Sequence, residues 1–186
     1  MDLIDAIKNR RAVRDFTEAR IEKSTVQNLI DTAVLAPSAM NLQPWAFAVL
    51  LDPERIDSYA ARAKSWSLEH FSETALDPSL RKSLEDPQRV LFYHAPALVI
   101  ILATSDGPWA KEDCCLAAQN FMLAARAQGL GTCWVGLCRP WLDLPSVKAE
   151  LKIPERFHVV APIILGHPKS WPETHGRNPA QVSWLG

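Results

Sequence analysis

Apolar positions recur along this chain first at helical and then at strand spacing, and the changes between the two periods mark its elements. Leu3, Ile4, Ala6 and Ile7 form one side of a short helix that Asp2 can cap. Val26, Leu29, Ile30, Ala33 and Val34 predict a second helix starting near Ser24 and ending at Pro37. Ala46–Leu51 then reads as a buried strand. From Asp52 to Tyr93 the pattern is helical but interrupted by Pro53, Pro78 and Pro87, with Trp66, Leu68 and Phe71 set among charged residues. This least regular stretch is expected to be the variable part that covers a substrate.

Ala97–Ala103 is the clearest buried strand, and the stretch from Ala110 to Gln128 is the clearest helix. Cys114, Ala117, Ala118, Phe121, Met122, Ala124 and Ala125 make that helix apolar over a wide arc, which predicts a central position with close neighbours. Gly129 stops it, and the chain enters a strand through Gly131 and Trp134. A short helix over 144–151 precedes a strand over Phe157–Gly166, where Pro162 predicts an edge or a bulge. The last twenty residues hold only Trp171, Val182, Trp184 and Leu185 as large apolar side chains. Such a tail cannot build its own core, and its tryptophans favour packing on something else.

Composition narrows the classes. The 186 residues fit one domain, 1–186, with no internal repeat, and a 48% hydrophobic content is ample for a core. A net charge of −1 and a pI near 6.5 give no global attraction to nucleic acid or to an anionic membrane. The longest apolar run, Ala95–Ala103, is far short of the roughly 20 residues that span a bilayer. The start Met-Asp-Leu-Ile-Asp has no signal-peptide pattern, so a cytoplasmic location is expected. Cys114 and Cys115 are adjacent and Cys133 and Cys138 are not spaced as CxxC, so buried, inert thiols are expected and no metal site.

Three stretches carry candidate chemistry. Arg10, Arg11 and Arg14 fall within five residues and form either a solvated basic edge or an anion site, since guanidinium forks suit phosphate. Pro37 and Pro44 stiffen a connector that also holds Ser38, Asn41 and Gln43, each able to donate and accept hydrogen bonds. The segment Gly129-Leu130-Gly131-Thr132-Cys133-Trp134-Val135-Gly136 offers backbone without side chains, suited to a flat ligand or merely to a helix cap and a bulge. It has no third glycine at the offset of a dinucleotide fingerprint and no helix following, so that motif is rejected.

Taken in order, these pieces resemble the nitroreductase-like flavoproteins. The resemblance rests on Arg10-Arg11-Ala12-Val13-Arg14-Asp15-Phe16, on Ala36-Pro37-Ser38-Ala39-Met40-Asn41-Leu42-Gln43-Pro44-Trp45, on the helix from Asp113 to Gln128 with the Gly129–Trp134 strand, and on Gly166-His167-Pro168 with Arg177. It implies an α+β, three-layer α/β/α fold with a mostly antiparallel central sheet. It also implies an intertwined homodimer in which a C-terminal extension, 167–186, packs on the partner subunit. By the same resemblance FMN lies at the subunit interface. Arg10, Arg14 and Arg177 would hold its phosphate, with Arg11 beside them. Pro37, Ser38, Ala39, Met40, Asn41 and Gln43 form the loop that would face the flavin from the other subunit. Trp134, Val135 and Gly136 would lie along the isoalloxazine. Ala12 departs from the family, which commonly has a hydroxyl there. The family often offers Asn or Lys from the 52–93 region to the pyrimidine edge, and the resemblance leaves open whether Arg62 or Lys64 takes that place.

The activity implied is ping-pong hydride transfer from NAD(P)H through the flavin to a nitroaromatic, quinone or similar flat acceptor. No catalytic side chain is assigned. The alternatives are a specialised flavin enzyme of the same superfamily, such as a reductive dehalogenase or a flavin-fragmenting enzyme, and a non-catalytic flavin-binding protein.

Overall fold

The computed structural model describes residues 1–71 and 78–186. Residues 72–77, inside the expected substrate-covering stretch, lie outside the described residues. The chain runs α1 (Leu3–Asn9), α2 (Lys23–Ala33), β1 (Trp45–Leu50), α3 (Pro53–Glu69), α4 (Pro78–Glu85), β2 (Ala97–Ala103), α5 (Ala110–Ala127), β3 (Gly131–Trp134), α6 (Arg139–Leu142), α7 (Pro145–Glu150) and β4 (His158–Gly166).

Local chemistry sets many of these limits. The Asp2 carboxylate accepts from the Asp5 N–H at the start of α1, and Asp52 caps Arg55 N–H in the same way at α3. Two of the three prolines that interrupt the 52–93 pattern open helices instead of breaking them, since α3 begins at Pro53 and α4 at Pro78, while Pro87 lies in the turn after α4. A first-turn proline has no N–H to leave unpaired. Gly129 takes φ +76° and ends α5, a conformation that costs other residues energy.

The four strands pair antiparallel in the order β1-β2-β4-β3. Alternation along β2 divides the core. Leu98, Ile100 and Leu102 face a cluster with Ile56, Tyr59, Ala63, Trp141 and Leu142, so α3, α6 and α7 cover that side. Val99, Ile101 and Ala103 face Val26, Leu29, Ala117, Phe121 and Ala125, so α2 and α5 cover the other. This is the expected three-layer α+β arrangement. No helix among the described residues is long and apolar enough to cross a membrane.

Two expectations need correction. β4 is an interior strand, so Pro162 is not at an edge. Its carbonyl accepts from Val135 N–H at 2.9 Å, so the face lacking an N–H is turned to β3 just past the last ladder pair, Trp134 with Ile163. Only the reciprocal bond to the Val135 carbonyl is missing, and that carbonyl accepts from the Cys138 thiol at 2.9 Å instead. A bulge does occur, but two residues earlier: pairing shifts between Ile101 and Leu102, and Val160 and Ala161 both face the α2–α5 side. The thiols also divide, since Cys114, Cys133 and Cys138 are buried while Cys115 is exposed.

Lys148 is 4% exposed and donates to the carbonyls of Glu155 at 2.6 Å and Phe157 at 3.0 Å, with Asp143 at 3.4 Å. It therefore staples α7 to the turn before β4. Lys148→Met keeps the stem but removes the donor, and should cost about 1–3 kcal/mol in urea unfolding. An unchanged midpoint would show that these acceptors are satisfied by water instead.

Candidate functional site

After α1 the chain runs beside β3. Ala12 bridges to Thr132 in parallel, and Val13 N–H donates to the Thr132 carbonyl at 2.9 Å. The approach is close because residue 131 is glycine: a Cβ there would lie 2.8 Å from Val13 Cβ. This contact fixes the Arg10–Arg14 segment against the strand that leads into Trp134, Val135 and Gly136. Ala12 offers no hydroxyl, and its contribution is this backbone bridge.

Arginines gather at this seam. Arg10 is half-buried, and its pKa is pushed below the ordinary value by burial and then by the nearby charges of Arg11 and Arg177. Arg126, in the last turn of α5, is lowered by burial and by Arg11. Burial pushes the Cys133 thiol up, while Arg14, hydrogen-bonded to it, and Arg10 pull the other way. Arg11 directs Nη1 to the carbonyls of Lys8 at 2.8 Å and Arg10 at 2.7 Å, closing the end of α1. The Nε atoms of Arg11 and Arg126 are buried without a hydrogen-bond partner. Arg14 lies 6.0 Å from the centre of the Tyr93 ring. Among the described residues, no carboxylate forms an ion pair with Arg10, Arg11, Arg14, Arg126 or Arg177. A crowd of like charges with orphaned donors and no acid fits an anion as the missing partner.

The Pro37–Trp45 loop is braced internally. Ser38 Oγ accepts from Gln43 N–H at 3.0 Å, and Gln43 Nε2 donates to Asn41 Oδ1 at 3.1 Å. Ala39 N–H donates at 3.1 Å to Oδ1 of Asp113, a buried residue in the first turn of α5. Pro37 stands exposed before a 3-10 turn over Ala39–Asn41. Met40, Asn41 and Gln43 have φ of +52°, +56° and +49°. Each such non-glycine residue costs on the order of 1 kcal/mol and persists because its surroundings hold it. The outcome is a rigid loop that turns Met40 and Leu42 outward, 83% and 64% exposed.

Within one chain this loop and the arginines are far apart. The loop feeds β1, at one edge of the sheet, and β3 forms the other edge, about 14 Å away at the usual strand spacing. Asp113, which anchors the loop, and Arg126 lie near opposite ends of α5, about 20 Å apart along its axis. The structure thus brings Arg10, Arg11 and Arg177 together, sets Ala12 and Arg14 beside the strand of Trp134, Val135 and Gly136, and leaves Pro37–Gln43 outside that group. Arg62 and Lys64 are both engaged elsewhere. Arg62 holds Glu150 through bonds of 2.7 and 2.8 Å, and Lys64 Nζ binds the carbonyls of Asp86 and Arg89.

Three residues contribute through contacts that local sequence does not show. Arg126 reads as an ordinary basic residue at a helix C-terminus, and nothing local shows that it faces Arg11. Asp113 reads as an ordinary acid in a first turn. Trp171 reads as a tail aromatic without an assigned partner, yet its ring centre lies 3.5 Å from the Arg126 guanidinium carbon.

The model of the nitroreductase family matches residues 7–167. A chloronitrobenzene nitroreductase of Comamonas testosteroni is 30% identical, with 87% of this chain and 85% of the relative covered. A 5,6-dimethylbenzimidazole synthase of Rhodospirillum rubrum is 31% identical, with 90% and 83% covered. Among solved structures, a nitroreductase of Bacteroides fragilis with bound FMN is similar over 100% of both chains, with a TM-score of 0.84 and 25% identity.

Proposed function

Because the chain belongs to the nitroreductase family, we propose that it is an FMN-dependent oxidoreductase that takes hydride from NADH or NADPH and delivers it to a nitroaromatic, quinone or similar flat acceptor. The observation that carries this reading is the guanidinium cluster at the α1–β3 seam, in which Arg10, Arg11 and Arg126 are half-buried and no member forms an ion pair with a carboxylate among the described residues. A phosphate monoester carries about −1.5 to −2 charge at pH 7 and offers acceptor oxygens to several forks at once. Arg10, Arg14 and Arg177 would hold that group, with Arg11 and Arg126 adding positive potential behind it.

The ring would extend from there along Trp134, Val135 and Gly136. At Gly136 a Cβ would meet nothing nearer than the Trp134 indole at 3.8 Å, so the backbone is open to a flat ligand. When bound, FMN supplies the hydride-accepting and hydride-donating chemistry. The chain anchors the phosphate, aligns the ring and presents one face on which donor and acceptor alternate in ping-pong order. Ser38, Ala39, Asn41 and the exposed Met40 would meet the ring from a second copy of the chain, which reconciles their distance from the arginines in one copy. A homodimer also accounts for apolar side chains exposed in the single chain: Ile4 and Ile7 on α1, Leu116 on α5, and Trp184 and Leu185 in the tail.

Steady-state oxidation of NADH and NADPH with a quinone and with a nitroaromatic tests the activity. Flavin that stays oxidised under both donors would remove it and leave a flavin-binding protein. The 31% identity to the synthase favours a second reading, a specialised reaction on the same scaffold. Turnover of the flavin itself, seen as loss of chromophore without an added acceptor, would select that reading. Deleting residues 168–186 should shift the protein from dimer to monomer and deplete its flavin, read by light scattering and by absorbance of the purified protein. A flavin-loaded dimer after truncation contradicts the proposed packing of the tail beyond Trp171 on the partner.

A further inference from the structure

The tail is fastened to the body at two successive places. Residues 167–169 pair with 15–17: Phe16 bridges Pro168, Thr17 N–H donates to the His167 carbonyl at 2.9 Å, and Lys169 Nζ meets Asp15 at 2.9 Å. Two residues later Trp171 lays its ring over the Arg126 guanidinium, 3.5 Å from ring centre to carbon. Beyond that point the described tail makes no hydrogen bond to the body; Arg177 Nη1 reaches only the carbonyls of His175 and Gly176, both at 3.3 Å. Arg177 nevertheless lies close enough to Arg10 for their charges to interact. The five residues between Trp171 and Arg177 leave six Cα–Cα steps, which span at most about 20 Å when extended. The position of Arg177 therefore depends on where Trp171 is pinned.

We propose that Trp171 is a positioning residue for the anion site: its ring on Arg126 fixes the start of the free tail so that Arg177 stands beside Arg10, and it influences ligand binding only through Arg177. The pin suits its place. A cation over the face of an indole is attracted by the ring quadrupole, and tryptophan is the strongest of the aromatic side chains in this respect. Here the cation also lies near Arg11 and has an unpartnered Nε, so the ring face supplies part of the counter-potential that no carboxylate provides. Tail position and phosphate recognition are thereby joined in one structural element. This inference rests on the flavin reading, which identifies the anion as the FMN phosphate.

The test compares FMN with riboflavin, which has the same ring and no phosphate. Both are dialysed to equilibrium against flavin-stripped full-length protein, wild type and W171A, W171F, R177A and the W171A/R177A double variant. Trp171→Ala should weaken FMN about 3- to 10-fold and leave riboflavin within about twofold, the range of a cation–π contact. Trp171→Phe should restore most of the loss. Because Trp171 acts through Arg177, the double variant should be no more than about twofold weaker than Arg177→Ala alone. Equal weakening of both flavins, or losses that multiply in the double variant, would overturn the inference while leaving the flavin reading intact. Wild-type protein that takes up neither flavin would overturn both.

Discussion

Arg10→Ala is expected to lower FMN affinity by about 10- to 100-fold, the range for losing a hydrogen-bonded charge from a phosphate. Arg10 is the cluster member on which burial acts together with two like charges, those of Arg11 and Arg177. Removing it from the unliganded protein takes away repulsion as well as a side chain. The apo variant should therefore be as stable as wild type in thermal unfolding, or slightly more so, while its flavin content falls. Those two readouts separate the site from the scaffold. A variant that loses flavin and melts early would show Arg10 to be structural, and one that purifies with full flavin would remove the phosphate assignment. Arg177, which is more exposed, should show a smaller loss with the same selectivity for FMN over riboflavin.

Phe121→Ala should have the largest effect on the scaffold, about 3–5 kcal/mol in denaturant unfolding. Phe121 is fully buried in the middle of α5, in the cluster that includes Ala117, Ala118, Ala125 and the inward-facing side of β2 and β4. Its neighbours on the helix are small and cannot swing in to fill the space, so most of the cavity should persist. α5 carries Asp113 near one end and Arg126 near the other. A loosened α5 should therefore also relax the Pro37–Trp45 loop and the arginine cluster. Phe121→Leu, which refills much of the volume, should recover most of the stability. A cost below about 1 kcal/mol for the alanine variant would mean that the core on this face repacks freely.

The loop that would complete the site from a second copy is braced by its own hydroxyl and amides, so its shape is set before any partner arrives. That is the preorganisation a shared site needs, because a loose loop would lose conformational freedom on each association.

The sequence by itself determined whatever depends on near neighbours along the chain. The β2 strand was legible to the residue, and α5 to within one, because burial period, a glycine stop and acidic first-turn residues are local signals. The Asp2 cap, the run of three N-terminal arginines, the stiff proline-bounded loop and the family resemblance were all readable from order and spacing. The one-turn α6 was not, since four residues with a proline give no period to detect. Only tertiary structure decided that Pro162 is tolerated inside the sheet, where β3 ends opposite its missing N–H. Only docking decided that Arg126 comes within range of the Arg11 charge, that Asp113 holds Ala39, and that Trp171 covers Arg126. Each of these contacts joins residues dozens of positions apart in the chain. Periodicity and capping act over a few residues, whereas the charge crowding at this seam exists only once separate elements have been packed against one another.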